Sequence, residues 1–234
     1  MNKSEFKQGL RDGLPICLGY ISVSMAFGLT AVKSGMPIWS AILISLTNLT
    51  SAGQFAGTNL LLAQSSYIEL ILTTLVINIR YFLMSLSISQ KVDKAFGLKE
   101  RLITSFGVTD EVFAVSMQQR DELSFSYMMG LILTPILGWT GGTTLGAVAT
   151  SLLPEALTDA MGISLYGMFI AIIIPPAREQ RNVLFAVLLA IFASYIFAYV
   201  PIFSILSGGW SVIMIAIVVS ALAAWLFPIP EKEV

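Results

Sequence analysis

Six stretches of this chain are apolar over the length of a lipid-crossing helix or close to it. They are Gly13–Ala31, Ile68–Ser89, Phe125–Leu153, Met161–Pro175, Asn182–Val200 and Ser211–Phe227. A helix needs about 20 apolar residues to span hydrocarbon. The composition leaves no water-soluble alternative. Apolar residues make up 56% of the 234 residues and charged residues 12%, where a soluble domain carries roughly a quarter charged residues. Too little charge remains to cover a surface in water. The expectation is an all-α polytopic membrane protein. With no low-complexity linker, it forms a single transmembrane domain over residues 1–234.

Two further stretches are apolar but interrupted. Met36–Ala63 is broken by Thr47-Asn48-Leu49-Thr50-Ser51-Ala52-Gly53-Gln54, and Leu102–Gln118 carries Thr109-Asp110-Glu111 in its middle. Irregular backbone is excluded from lipid, so each break must face protein or a watery cavity. Basic residues decide how these stretches lie, because Lys and Arg accumulate on the cytoplasmic side. If both were full crossings, Lys33, Lys91, Lys94, Lys99 and Arg101 would lie outside. If both enter and leave on one side, only Lys33 does. Lys3, Lys7, Arg11, Lys91, Lys94, Lys99, Arg101, Arg120, Arg178, Arg181 and Lys232 are then all inside. The reading is therefore about six spanning helices plus two re-entrant helical hairpins, with both termini cytoplasmic.

Smaller features fill in this frame. Leu153–Asp159 reads as an acidic external loop, and Ile174-Pro175-Pro176 as the end of a helix. Lys91–Glu100 reads as a short surface helix with Val92, Ala95 and Phe96 on its apolar side. Trp39, Trp210 and Trp225 sit near span ends, where an indole keeps one edge wet. Thr50-Ser51-Ala52-Gly53 echoes Thr104-Ser105-Phe106-Gly107. With one hairpin entering from each side, the echo raises the possibility of an inverted repeat. Met1–Asp12 is polar and lacks a signal-peptide core, so targeting is expected to come from the first span.

Several chemistries are closed to this sequence. There is no histidine and one cysteine, Cys17, so imidazole relays, internal disulfides and thiolate clusters are excluded, and no metal or cofactor is expected. No basic stripe marks nucleic acid. The residues that carry chemistry are few. Arg80 lies near the middle of Ile68–Ser89, where an arginine costs roughly 2.5–3.5 kcal/mol on insertion scales. It reads as a fixed cation in a substrate cavity or as half of an ion pair locking two helices. Asp110 and Glu111 are adjacent carboxylates in an apolar stretch, which cannot both stay ionised cheaply. One is a candidate proton carrier and either is a candidate partner for Arg80. Thr109 and Asp110 also read as the cap of a half-helix starting at Glu111.

Gln54 and Asn48 lie in the first break, where an amide can bind a ligand or satisfy unwound backbone. Asn78, two residues before Arg80, points elsewhere on a helix and reads as an interhelical bond. Gly142 and Gly146, in the small-residue run after Trp139, have the spacing for close helix approach, and Gly53, Gly19 and Gly28 read the same way. Glu69 sits near the outer end of its span and reads as solvated.

These residues resemble a known family. Gly13-Leu14-Pro15-Ile16 with Gly19-Tyr20 and Ala26-Phe27-Gly28 is similar to the opening of the AzlC family. Ser51-Ala52-Gly53-Gln54-Phe55 resembles its Gly-Ala-Ser-Gln-Phe stretch. Asn78-Ile79-Arg80-Tyr81 resembles its Asn-Leu-Arg-His motif, with Tyr81 where the family usually has His. Thr109-Asp110-Glu111 with Phe113-Ala114 matches its Thr-Asp-Glu motif, and Trp139–Thr143 its Trp-x-x-Gly-Thr turn. The resemblance implies the large subunit of a two-component exporter of leucine, isoleucine, valine or similar amino acids, coupled to protons. It further implies a small AzlD-type membrane partner and a place in the bacterial inner membrane.

The residues then divide by task. Gln54, Arg80, Thr109, Asp110 and Glu111 are the expected substrate-binding set, and Asp110 and Glu111 the proton-coupling pair. Asn78, Gly53, Trp139 and Gly142 pack beside them. Channel-type flux of a small solute and a membrane-embedded acid–base enzyme are the rival readings. The enzyme reading lacks a nucleophile–base set.

Overall fold

The computed structural model describes residues 2–150, 170, 173–200 and 208–228. The expected loop Leu153–Asp159 and most of the expected span Met161–Pro175 lie outside the described residues. The described helices are α1 (Lys3–Lys33), α2 (Ile38–Thr47), α3 (Ala52–Leu62), α4 (Tyr67–Lys91), α5 (Leu98–Phe106), α6 (Asp110–Gln118), α7 (Phe125–Ala149), α8 (Arg181–Tyr199) and α9 (Gly208–Leu226). Five of them, α1, α4, α7, α8 and α9, are long and apolar enough to cross a membrane. The protein is an all-helical, multi-pass membrane protein.

α1 and α7 form the closest helix pair. They run parallel, because Gly9 lies against Tyr127 and Leu131, Cys17 against Gly138, and Met25 against Gly146. Glycines on every fourth residue of α7 let the two backbones touch. A Cβ on Gly138, Gly142 or Gly146 would meet the backbone of Cys17, Ile21 or Met25, and one on Gly28 would meet that of Thr143 and Ala147. Close approach by small residues is how helices associate where lipid removes the hydrophobic drive. Gly19 departs from this pattern, since a Cβ there would meet nothing.

The direction of α4 follows from its C-terminal end. Asp93 N–H donates to the Leu123 carbonyl (3.0 Å) and Leu123 N–H to that of Lys91 (2.9 Å). Asn2 N–H donates to Ser126 Oγ (2.7 Å), and Ser124 Oγ donates to Glu5 Oε2 (2.6 Å). The end of α4 and the starts of α1 and α7 therefore share one face, so α4 runs antiparallel to both. The segment between α1 and α4 must then begin and end on the second face, and that between α4 and α7 on the first. These segments are the hairpins α2–α3, with its tip at 48–51, and α5–α6, with its tip at 107–109. Their arms of 10, 11, 9 and 9 residues reach roughly 13–17 Å at 1.5 Å per residue. That is about half of a 30 Å hydrocarbon layer.

Each hairpin is followed by a 25-residue span. Both spans start from a serine cap: Ser66 accepts from Glu69 N–H and Ser124 from Tyr127 N–H. The two hairpin–span units point in opposite directions. The sequence echo does not superpose on this relation. Thr50 and Ser51 form a tip, with Ser51 at φ +49°, whereas Thr104 and Ser105 belong to the last turn of α5.

Other expectations change in detail. Residues 92–97 are not a surface helix. Val92 bridges to Leu123, and Asp93 Oδ1 accepts from Ala95 N–H in a tight turn. This turn lets the chain leave α4 and start α5 at Leu98. Residues 173–179 are helical through Pro175 and Pro176, and the break falls at Gln180. The fixed φ of proline is compatible with a helix, so helical backbone continues through both. Glu69 is buried rather than solvated, and its Oε1 accepts from Gly209 N–H at the start of α9 (3.0 Å).

The α1–α7 contact makes a direct prediction. Gly146→Ala places a methyl against backbone that cannot yield, and overpacking of this kind costs about 1–3 kcal/mol. The variant should melt at a lower temperature in detergent. Gly141→Ala, where a Cβ meets nothing, should match or exceed wild type, because alanine is the better helix former by up to about 1 kcal/mol. Equal Tm values for the two would contradict the backbone-contact packing.

Candidate functional site

Residues of both tips line one cavity of about 740 Å³. Its walls come from α1, α4, α7 and both hairpins. Most of the lining is apolar, and the polar groups are concentrated at Tyr20, Ser51, Arg80, Asp110 and Glu111. Pockets for small ligands typically measure about 300–1,000 Å³ and combine an apolar wall with a few convergent polar groups.

Arg80 is held there by α4. Its Nη1 lies 2.6 Å from Asp110 Oδ2, with the side chains 42% and 44% exposed. Its guanidinium carbon lies 5.2 Å from the centre of the Tyr81 ring. Arg80 Nε is buried and has no hydrogen-bond partner among the described residues. Glu111 has a different partner: the Tyr20 hydroxyl donates to its Oε2. Two adjacent carboxylates are thus separated, one on a cation and the other on a neutral phenol. This division follows from the helix, since neighbours on α6 point about 100° apart.

Thr109 is the N-cap of α6, accepting from Val112 N–H (3.3 Å), and the helix begins at Asp110. The cap reading is therefore right in kind and displaced by one residue. Thr109 is fully buried and does not line the cavity. The first turn of α6 aims its amide dipoles at the cavity, and α3 starts beside it, with Ser51 and Ala52 on the wall and no side-chain cap. Two half-helix N-termini thus face the same space, an arrangement that favours an anionic group.

Gln54 stands behind Trp139 rather than on the wall. Trp139 Nε1 donates to Gln54 Oε1 (2.9 Å), and Gln54 Nε2 donates to Ser45 Oγ (2.7 Å). Ser45 Oγ in turn lies 2.7 Å from Thr143 Oγ1. All four residues are buried. The chain of bonds ties both arms of the first hairpin to α7, and it fixes the indole whose other side meets the cavity and the Tyr20 ring (5.2 Å between centroids). Losing one bond would strand a buried polar group, at about 1–3 kcal/mol.

Asn78 packs against Gly53, where a Cβ would meet its amide, so Asn78 touches the first hairpin while Arg80 reaches the second. Asn48 Oδ1 accepts from Thr50 N–H (3.0 Å) and Thr50 Oγ1 (2.7 Å), closing the tip on itself. Gly142 packs on Ile21 and Ser24. Sequence reasoning did not single out Tyr20 and Ser51. The position of Tyr20 in mid-span, one residue from Gly19, was the available signal. Gly19 lines the cavity and leaves room for it.

Comparison with known proteins agrees with this architecture. The family model described as AzlC protein matches residues 15–153. A membrane protein of Archaeoglobus fulgidus is 33% identical over 178 residues, covering 75% of this chain and 78% of its own length. Inner membrane protein YgaZ of Escherichia coli is 29% identical over 211 residues, covering 87% and 86%. The branched-chain amino acid transport protein AzlC of Bacillus subtilis is 23% identical over 181 residues, covering 76% and 70%. No solved structure matches the chain. The matched segment contains both hairpins, Arg80, the Asp110–Glu111 pair and Trp139, and by that match this chain is a member of the AzlC family of membrane transport proteins.

Proposed function

We propose that the protein exports branched-chain or similar hydrophobic amino acids across the bacterial cytoplasmic membrane, driven by protons, as the large subunit of a two-component system. The observation that carries this reading is the mid-depth cavity with Arg80, Asp110 and Glu111 on an apolar wall. A zwitterion needs a partner for each of its charges. Arg80 and the first turns of α3 and α6 suit the carboxylate. Asp110 suits the ammonium group, and the apolar wall the branched side chain. Selection among such side chains is loose, since one methylene is worth about 1–3 kcal/mol. Gln54 and Thr109 serve the site by holding the Trp139 wall and the α6 tip.

The coupling proton belongs on the carboxylate pair. Arg80 matches the charge of Asp110, while Glu111 meets only a phenol, so Glu111 changes charge with the least loss of pairing. The single domain spans residues 1–234 and is completed by a small AzlD-type membrane subunit. The first face is cytoplasmic, because Lys3, Lys7, Arg11, Lys91, Lys94, Lys99, Arg101 and Arg120 lie there and Lys33 lies opposite. The test of function is counterflow of labelled leucine in proteoliposomes, with and without a co-expressed small subunit. Counterflow suppressed by unlabelled isoleucine and valine supports the reading. Its absence in both preparations overturns it.

Arg80→Ala should reduce counterflow at least about tenfold, since hydrogen bonds to a charged group are worth about 1.5–3 kcal/mol, while membrane levels of the protein stay at wild type. Arg80→Lys should recover little, because an ammonium cannot reproduce the planar fork. Near-normal counterflow by the lysine variant would show that the planar fork is not required.

The amide variants separate the carboxylates. Glu111→Gln should retain leucine exchange and lose gradient-driven accumulation. Asp110→Asn should lose both, because it removes the Arg80 partner. If both variants accumulate leucine with wild-type pH dependence, the proton travels elsewhere, with buried Glu69 the next carboxylate to replace.

Orientation is checked by a cysteine at Lys94 in a Cys17→Ala background. It should react with an impermeant maleimide only after the cells are permeabilised. Labelling in intact cells would reverse the topology.

A further inference from the structure

A second crevice, of about 240 Å³, lies between the C-terminal half of α4 and α5, well away from the central cavity. It exists because α5 leans on α7 through Gly107, whose Cα lies against Ile132, and so stands off from α4. Its inner wall is apolar, formed by buried Ile88, Phe96 and Val108. Its rim carries Arg101. Arg101 Nε donates to the Phe96 carbonyl at 3.4 Å and Nη1 to that of Ser89 at 3.5 Å. Both bonds are longer than the usual range of about 2.7–3.2 Å, and Nη2 has no hydrogen bond to any described residue.

The surroundings add charge and apolar surface on opposite sides. Lys94 and Lys99 are exposed close by in the sequence. Lys91 is not available to the crevice, because its Nζ donates to the carbonyls of Ser116 and Met117 (3.2 and 2.8 Å) and to that of Gln119. Toward mid-depth, Leu98, Leu102 and Phe106 form an outward stripe on α5, exposed by 74%, 63% and 48%. A spacing of four residues puts them on one face. Leu102 belongs both to this stripe and to the crevice.

We propose that the α4–α5 crevice binds one anionic phospholipid. Arg101 takes the headgroup phosphate, since Asp93 and Glu100 offset Lys94 and Lys99 beside it. An acyl chain runs from the crevice along Leu102 and Phe106. The order of parts matches the order of a lipid: cation at the end of α4, where the membrane surface lies, then apolar wall toward the centre. Basic pockets between helices at this level are suited to such headgroups, and the guanidinium plane suits phosphate oxygens. A soluble phosphate would gain nothing from the apolar wall, so the occupant is the lipid.

The test is retention of phosphatidylglycerol and phosphatidylcholine by purified full-length protein after detergent exchange, read by native mass spectrometry. Wild type should keep one phosphatidylglycerol in preference to phosphatidylcholine, and added inorganic phosphate should not displace it. Arg101→Gln should retain about fivefold less, which is what one cation near the surface is worth to an anionic lipid. Ser89→Phe leaves every charge in place and fills the crevice, so it should lose the lipid as well. Lys7→Gln removes an exposed charge elsewhere on the same face and should retain the lipid as wild type does. Equal loss in Lys7→Gln, wild-type retention by Ser89→Phe, or equal retention of phosphatidylcholine would each overturn the site.

Discussion

The backbone contact between α1 and α7 constrains everything else in this fold. Two helices that run parallel must begin on the same face. Roughly 90 residues of chain separate them, and that chain must cross the membrane an odd number of times. Three segments are available, α2–α3, α4 and α5–α6, so either one of them crosses or all three do. The bonds joining Lys91 and Asp93 to Leu123 place the end of α4 beside the start of α7, and only a single crossing allows that. The half-length arms then follow, since each hairpin has to turn back at mid-depth. The glycine-lined contact of α1 with α7 and the bonds at Leu123 thus together settle the topology of the segments between them.

A turn at mid-depth leaves helix ends that lipid cannot satisfy. The two tips solve this differently. The first closes on itself through Asn48 and Thr50 and is tied down by Gln54, Ser45, Thr143 and Trp139, all neutral and all buried. The second is capped by Thr109, and its first two residues are both carboxylates. Their charges are stabilised by the α6 dipole, by Arg80 and by the Tyr20 hydroxyl. The cavity is therefore bounded on one side by a fixed amide and indole framework and on the other by groups that carry charge.

Much of this was readable from the residues. The breaks at Thr47–Gln54 and Thr109–Glu111, set against the distribution of Lys and Arg, were enough to separate two hairpins from two crossings. Arg80 was matched to the Asp110–Glu111 pair because few charges are placed at depth, and the choice between the two carboxylates came only with the structure. Other features depend on three-dimensional neighbours that no local pattern encodes. Gln54 carried the same signal whether it faced the cavity or stood behind Trp139, since both places require a satisfied amide. Gly19 and Gly28 looked alike, yet one lines empty space and the other meets the backbone of Thr143. The pairing of Tyr20 with Glu111 joins residues 91 positions apart. Lys91–Glu100 misled because its apolar spacing suits a helix, while the strand-like pairing of residues 91–93 with Leu123 is a long-range contact that outweighs local preference.

The contrast between the tips bears on how such a cavity can change state. Buried neutral bonds have no competitor at mid-depth, because breaking one leaves a desolvated donor or acceptor with nothing to replace it. The Arg80–Asp110 pair is different. Both side chains are more than 40% exposed, so a ligand with its own carboxylate and ammonium group can replace each partner with an equivalent one. The Tyr20–Glu111 bond is open to exchange too, because the phenol can donate to a carboxylate or accept from a carboxylic acid. The second hairpin is thus held at its tip by interactions that a zwitterion and a proton can enter without stranding a charge. The first hairpin is held by interactions that neither can enter. The exchangeable contacts are therefore confined to the tip of α5–α6, and the fixed ones to the frame of α1, α7 and the first hairpin.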